Sequence, residues 1–292
     1  MATTPSSPFS FVLIGAGRVG TAVAELLRRG GHSPAGVVSR TPESRAKAAE
    51  LLDAPELELD DLPDTDVVLL GVPDGAIGEL AARLSERTSA GHAVVHFAGA
   101  MGIDVLAPVI RTGAWGCALH PVQACPDVDT AIERLPGSAW GVTCTWPATE
   151  WAHGLIDGPL QGTPVDVPEQ GRPLWHAAAV STSNGIAALM ALGEDLLSSI
   201  GIDRPNAVLG PLARGAVENA IAGGGGARTL TGPVVRGEAD TLRRHLDAIA
   251  ATSPSSRAGY ELAARIVLEA AVAAGRIDHF AARSILDLLE EA

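Results

Sequence analysis

A glycine-rich segment near the start of the chain constrains the fold more than any other feature. It reads Gly15-Ala16-Gly17-Arg18-Val19-Gly20, follows an apolar run at 9–14 and precedes an amphipathic stretch at 21–29. In this spacing the first glycine permits a tight strand-to-helix turn, the second lets the backbone approach a pyrophosphate, and the third lets the helix pack closely on its strand. A second apolar run at 35–38 completes a β-α-β pattern. The segment therefore predicts a dinucleotide site formed by these six residues, with the pyrophosphate at the helix N-terminus.

The residues that follow the second predicted strand indicate which dinucleotide binds. NAD sites usually carry an Asp or Glu about 20 residues after the glycine fingerprint, where it binds the ribose hydroxyls. This chain has Ser39, Arg40 and Thr41 instead, and Arg45 follows one turn into the next predicted helix. Hydroxyl and guanidinium groups bind a 2′-phosphate, whereas a carboxylate repels it. The sequence therefore favours NADP(H) as the cofactor; the alternative for the two arginines is ordinary surface charge.

Length and composition narrow the class of protein. The 292 residues are 47% hydrophobic and carry a formal net charge of -13. This length predicts two domains, and the acidic balance argues against binding to nucleic acid or to an anionic membrane surface. The sequence has no long uncharged apolar run, and its three cysteines fit no metal-binding spacing. We expect a cytoplasmic protein with reduced thiols and no metal.

The chain changes character near residue 170. Up to that point short apolar runs alternate with helical patterns, which predicts an α/β fold: a Rossmann-type, doubly wound parallel sheet over residues 1–170. Residues 171–292 show only helical patterns, which predicts an all-helical domain. Ligands of such sheets bind beyond the carboxyl ends of the strands. The segments Gly71-Val72-Pro73 and Ala98-Gly99 should therefore line the cofactor cleft, with the loop at 120–125 beside them.

Three motifs carry a resemblance to known proteins. They are His120-Pro121-Val122-Gln123, the stretch from His176 to Asn184, and the stretch from Leu230 to Glu238. With the glycine fingerprint, they make the chain resemble reductases that join a Rossmann domain to a helical domain: ketopantoate reductase, pyrroline-5-carboxylate reductase, imine reductases and β-hydroxyacid dehydrogenases. The chain is most similar to a family in which a Rossmann-like domain precedes a C-terminal domain of unknown function. The resemblance implies hydride transfer from a nicotinamide cofactor.

Lysine usage separates this chain from the better-known relatives. Those relatives use a lysine in the first long helix of the helical domain, whereas the only lysine here is Lys47, in the predicted helix after the second strand. Its predicted position is on the adenine side of the cofactor, far from the nicotinamide. A lysine acid, base or Schiff base is therefore nearly excluded.

Six residues are candidates for the chemistry. His120 ends a predicted strand beside the expected nicotinamide position, and an unperturbed imidazole titrates near neutral pH, so it could donate a proton. His176, Ser183 and Asn184 share one face of the long predicted helix, where buried polar groups need partners. Thr231 precedes a glycine-proline break, and Arg236 could anchor a substrate carboxylate. The alternatives are capping of a strand end by His120, hydrogen bonds between helices or subunits, and pairing of Arg236 with Glu238.

Two functions of different classes fit these observations. The first is an NADPH-dependent reductase of a small carbonyl compound, such as a 2-keto acid, or of an imine. The second is a non-catalytic sensor that binds NADP(H) and reports redox state to another protein. The long apolar helix also predicts a homodimer formed through the helical domain. The polar cluster on that helix favours the enzyme, because a sensor does not need polar groups converging on the nicotinamide.

Overall fold

A seven-stranded sheet forms the centre of the first part of the chain. The structure is a computed structural model and describes residues 8–291. Its strands follow the order β2-β1-β3-β4-β5-β6-β7, and each of them is short and largely apolar, as expected for strands covered on both faces. They are β1 (Ser10–Ile14), β2 (Ser33–Val38), β3 (Val67–Leu70), β4 (Ala93–His96), β5 (Trp115–Pro121), β6 (Ala139–Cys144) and β7 (Thr163–Asp166).

Helices cover both faces of the sheet, which confirms the predicted fold class. Alternating strand residues feed two cores: Phe11, Leu13 and Leu69 face one of them, and Val12 and Leu70 face the other. The first core is closed by α1 (Arg18–Arg29), α2 (Pro42–Leu52), α5 (Val128–Arg134) and α6 (Thr149–Asp157), and the second by α3 (Asp74–Leu84) and α4 (Ala107–Ile110).

The sheet differs from the prediction in one respect, because its strands are not all parallel. The first five strands are parallel to one another, but β6 runs antiparallel to β5, and β7 is parallel to β6. The chain passes from β5 through α5, and β6 then pairs with β5 in the opposite direction. As a result His120 on β5 pairs in register with Gly141 on β6. The antiparallel direction of β6 therefore places a glycine, Gly141, directly beside this histidine.

The second part of the chain is helical where the structure describes it. Helix α7 (Arg172–Ser199) begins in the first part and continues into the second. The remaining helices are α8 (Pro205–Ala222), α9 (Gly226–Thr229), α10 (Ala239–Thr252), α11 (Arg257–Ala273) and α12 (His279–Glu291). Contacts divide the chain into compact units at Val180/Ser181, inside α7, whereas the pattern change predicted a boundary at 170/171, where α7 begins. No helix within 8–291 combines the length and apolarity required to span a bilayer.

Two helices of this part are not covered within the single chain. The core of the second unit is formed by α10, α11 and α12, around Leu242, Leu268 and Ile285. By contrast, the only buried residue of α7 is Arg172, and α8 has none among its described side chains. The burial of the long helix against other helices or a second subunit that its pattern predicts is not achieved within the single chain. The apolar residues that made it look buried are exposed instead.

Candidate active site

The glycine fingerprint forms a tight turn packed against the end of β3. Gly15 has a φ of +89°, and its N–H donates to Val38 O at 2.7 Å. The N–H of Gly17 donates to Gly71 O at 3.2 Å, and a Cβ on Gly20 would lie 2.6 Å from the Cα of Gly71. A side chain at any of these glycines would push the turn away from β3. The glycines therefore allow α1 to begin at the carboxyl edge of the sheet.

The N-terminus of α1 is suited to an anion. Its N-cap is Gly17, which makes no side-chain cap, and the first turn contains no acidic residue. The first backbone N–H groups of the helix therefore remain available, at the positive end of its dipole. Arg18 begins the helix as an exposed residue, and its guanidinium donates to Pro126 O at 3.2 Å. These features fit the pyrophosphate of a dinucleotide.

The end of β2 presents one guanidinium that is free to bind a ligand. Arg40 is exposed, and within residues 8–291 no ion pair or hydrogen bond engages its side chain. Arg45, in contrast, donates to Glu56 at 2.9 Å and to Glu58 at 2.7 Å. Ser39 and Thr41 flank Arg40, with Thr41 as the N-cap of α2. Arg40 is therefore better placed than Arg45 to bind a 2′-phosphate.

A cleft of about 500 Å³ lies along the carboxyl ends of β1, β3, β4 and β5. Its wall brings together many of the residues that the sequence singled out. Those lining it are Gly17, Arg18, Val19, Gly20, Gly71, Val72, Pro73, Ala98, Gly99, His120 and His176, joined by Leu70, Asp74, Phe97, Pro121, Gln123 and Cys125. The strand-end loops thus form a single cleft with the fingerprint turn.

Two histidines meet at one point of this cleft. The rings of His120 and His176 are 5.3 Å apart between centroids and nearly perpendicular, at 85°. A Cβ on Gly99 would overlap His176 Nδ1 and lie 2.8 Å from His120 Nε2, so only glycine fits between the two rings. His176 Nδ1 is buried and finds no hydrogen-bond partner within residues 8–291. Leaving a buried polar atom unpaired in this way costs about 1–3 kcal/mol.

The protonation state of His120 differs from the expectation. Burial, followed by the charges of His176 and Arg172, lowers the pKa of His120 to about 4. The near-neutral pKa assumed from the sequence is therefore wrong, because a cation in this poorly hydrated position is disfavoured. At neutral pH His120 is an uncharged imidazole. It can polarise a bound group by hydrogen bonding, but it does not hold a second proton to give away.

Three side chains hold the glycine loop at 98–102 in place. His96 is fully buried, accepts from Ala98 N–H at 3.2 Å and faces Gly102 O at 2.9 Å, so its Nε2–H must be the donor there. Burial lowers its pKa to about 4. Arg172 donates to Ala98 O at 2.6 Å, Met101 O at 3.0 Å and Gly141 O at 3.1 Å. Glu169 accepts from Ile103 N–H at 2.8 Å. The loop is fixed by protein groups before any ligand binds.

Family models match the two halves of the sequence. One described as a Rossmann-like domain matches residues 5–121, and one described as a domain of unknown function, DUF2520, matches residues 138–266. The chain combines a Rossmann-like domain with a DUF2520 domain. This confirms the family indicated by the sequence motifs. No sequence among curated proteins matches the chain significantly.

Solved structures share this fold at low sequence identity. A Bacteroides fragilis protein with the provisional name NADP oxidoreductase is 23% identical, with a TM-score of 0.74 over 89% of this chain and 97% of its own. A reductive aminase from Aspergillus terreus, in complex with NADPH and ethyl levulinate, is 18% identical, with a TM-score of 0.65 over 95% and 98%. An imine reductase from Pseudomonas sp. is 15% identical, with a TM-score of 0.65 over 96% and 99%.

The other candidates lie in the second unit. Ser183 and Asn184 are exposed on α7, and Thr231 is exposed in the loop before Gly232. Arg236 forms a two-pronged ion pair with Glu238, at 2.6 and 3.1 Å. The cleft described above is built entirely from the first unit. Of the six candidates for chemistry, it contains the two histidines.

Sequence reasoning missed Arg172, Trp175 and His96. A signal was present for Arg172, since a cation at the start of a helix opposes the helix dipole and needs a reason to be there. For His96 the signal was its place at the end of β4, which matches the place of His120 near the end of β5. Trp175 directly precedes His176 and carried no signal of its own. Its indole N–H donates to His120 Nδ1 at 3.0 Å, beside strand β6 with its antiparallel direction.

Replacing Arg172 tests whether this buried cation holds the site together. We expect Arg172→Met to lower the free energy of unfolding by about 3 kcal/mol, because three backbone carbonyls lose a charged donor. Urea denaturation of the variant and of the exposed control Arg111→Met measures the difference. Equal unfolding midpoints for both variants would contradict the assignment.

Proposed function

We propose that this protein is an NADPH-dependent reductase of a small carbonyl compound, such as a 2-keto acid, or of an imine. The observation that carries the proposal is the convergence of His120 and His176 on Gly99, in the cleft that also holds the fingerprint turn. Hydride transfer needs an acceptor that is oriented and polarised beside the nicotinamide. The neighbours named as a reductive aminase, an imine reductase and an NADP oxidoreductase add support at the level of fold.

In this proposal the first unit binds the cofactor. The N–H groups at the start of α1 hold the pyrophosphate, and Arg40 with Ser39 and Thr41 holds the 2′-phosphate. When bound, NADPH supplies the hydride. Gly99 leaves room for the imidazoles of His120 and His176 to meet in the wall of the cleft, where they would face the acceptor. For Ser183, Asn184, Thr231 and Arg236, which lie in the second unit, the expected roles toward the acceptor stay predictions, and Arg236 is already paired with Glu238.

The charge around the histidines favours a carbonyl acceptor over a preformed iminium. Arg172 is a buried cation whose partners are backbone carbonyls, and its field already disfavours protonation of His120. The same field raises the free energy of a cationic iminium and lowers that of an oxygen that gains negative charge. Asp74 also lines the cleft, but it is exposed and screened by solvent. We therefore place 2-keto acids first in the substrate panel.

Turnover with a substrate panel tests the proposed function. We expect loss of NADPH absorbance with members of a panel of 2-keto acids and cyclic imines. His120→Ala and His176→Ala should each lower kcat by about 100-fold or more, a typical contribution of a positioned polar group. His153→Ala, at a hydrogen bond with Asp166 outside the cleft, is the matched control. Tight NADPH binding with no turnover across the panel would instead favour a redox sensor.

A second measurement tests the choice of cofactor. We expect Arg40→Ala to raise the Kd for NADPH by about 10- to 100-fold and to leave the Kd for NADH nearly unchanged, because only the former carries a 2′-phosphate. Calorimetric titration of wild type, Arg40→Ala and the remote control Arg111→Ala provides the comparison. Tighter binding of NADH than of NADPH by wild type would rule out the proposed cofactor.

We also propose that the protein is a homodimer joined through α7 and α8. Support comes from their exposed apolar residues, among them Leu189, Val208, Leu212 and Ile221 at 51, 57, 70 and 78% exposure. Apolar surface of this extent on consecutive helices usually marks an interface. A second copy is the simplest partner, since the surface belongs to the domain that the family shares.

Two charges on α8 test this interface. The double variant Val208→Arg/Leu212→Arg should be monomeric at concentrations where wild type is dimeric, because neither guanidinium can be desolvated in an apolar contact. Light scattering coupled to gel filtration measures the masses. Trp146→Arg, at a residue 90% exposed in the first unit, is the control. A wild type that is monomeric at high concentration would contradict the proposal.

A further inference from the structure

The indole of Trp175 is hydrogen-bonded to the imidazole of His120. Trp175 Nε1 lies 3.0 Å from His120 Nδ1. An indole N–H can only donate, so Nδ1 must be the acceptor and cannot carry a proton. In a neutral imidazole the proton must then be on Nε2. Nε2 is the atom that faces the position of a Cβ on Gly99, in the wall of the cleft.

The position of the indole is fixed by the backbone of β6. A Cβ on Gly141 would lie 2.7 Å from both Cε2 and Nε1 of Trp175, so the indole occupies the space that a side chain there would need. Gly141 is also the register partner of His120 across β5 and β6. Arg172, three residues before Trp175 on α7, donates to Gly141 O. The strand pair and the start of α7 therefore hold donor and acceptor together.

We propose that Trp175 is a positioning residue that locks His120 in its Nε2–H tautomer, so that His120 presents a permanent N–H donor to the acceptor atom of the substrate. This inference rests on the proposed reductase function. It assigns the direct contact with substrate to His120 and the control of its proton to Trp175. Without the indole, either nitrogen of His120 could carry the proton, and only one of the two forms would be productive.

The chemistry balances with His120 neutral throughout. The acceptor carbon gains the hydride as NADPH becomes NADP⁺, and the electron pair of the C=O π bond moves to the oxygen. The Nε2–H of His120 stabilises that oxygen by a hydrogen bond but is not transferred, because its loss would leave an imidazolate. The oxygen takes its proton from water. Burial is the first cause that favours this neutral form, and the titratable and charged groups around His120 that add to it are His176 and Arg172 on α7.

Nuclear magnetic resonance of the histidine nitrogens tests the inference. In wild type with ¹⁵N-histidine, His120 should show a protonated Nε2 and an unprotonated Nδ1 at pH 7. Trp175→Phe keeps an aromatic ring but removes the donor. We expect a mixture of tautomers, a titration of His120 that moves toward its ordinary pKa, and a kcat about tenfold lower with the Kd for NADPH unchanged. Trp146→Phe, at an exposed tryptophan, should match wild type in all of these measurements.

Each result supports or overturns the inference. A wild-type His120 protonated on Nδ1 overturns it without the need for any variant, so a poorly folded Trp175→Phe protein does not prevent a decision. Unchanged nitrogen shifts and an unchanged pH profile in folded Trp175→Phe also overturn it. If the shifts change as expected but wild type reduces no member of the panel, the control of the His120 tautomer by Trp175 is supported and the catalytic role of His120 is refuted. The proposed function would then fail separately.

Discussion

The organisation of the candidate site depends on one buried cation. Arg172 is completely inaccessible to solvent, and its guanidinium is held by three backbone carbonyls, from Ala98, Met101 and Gly141. No carboxylate shares its hydrogen bonds, and burial lowers its pKa from the usual arginine value. Desolvating a guanidinium in this way costs free energy that the carbonyl dipoles must offset. The effect of these hydrogen bonds is that one side chain fixes the loop after β4, strand β6 and the start of α7 relative to one another.

The antiparallel return of β6 has consequences for the site. In a sheet with parallel strands throughout, the neighbour of β5 would arrive by a crossover, and the residue beside His120 would belong to a different segment. Here Gly141 lies opposite His120, and its missing side chain leaves the space that the Trp175 indole fills. The reversal, the glycine and the tryptophan therefore act together. None of the three positions the imidazole alone.

Local patterns were sufficient to predict much of this molecule from its sequence. The fingerprint at 15–20 has short-range spacing, so the turn, α1 and the adjoining strands could be placed. Helices α2 and α8 both begin at a proline, and Gly223 directly follows α8, so these helix ends can be recognised from the sequence. The direction of β6 could not be predicted, since strand direction depends on contacts between distant segments. The pKa of His120 was also beyond reach, because it depends on burial and on Arg172, which lies 52 residues later in the chain.

In the proposed reductase, the chain's use of basic residues explains why a hydrogen bond, and not a charged acid, would face the acceptor. Its only lysine is on α2, away from the histidines, and the nearest arginine is fully occupied by carbonyls. Burial first, and then the neighbouring His176 and Arg172, lower the pKa of His120 to about 4, so the ring is neutral at pH 7. A neutral imidazole polarises an acceptor only if its N–H points in the right direction. Which ring nitrogen carries the proton then matters more than the pKa of the ring. The Trp175 indole N–H, which can only donate, sets this by its hydrogen bond to Nδ1.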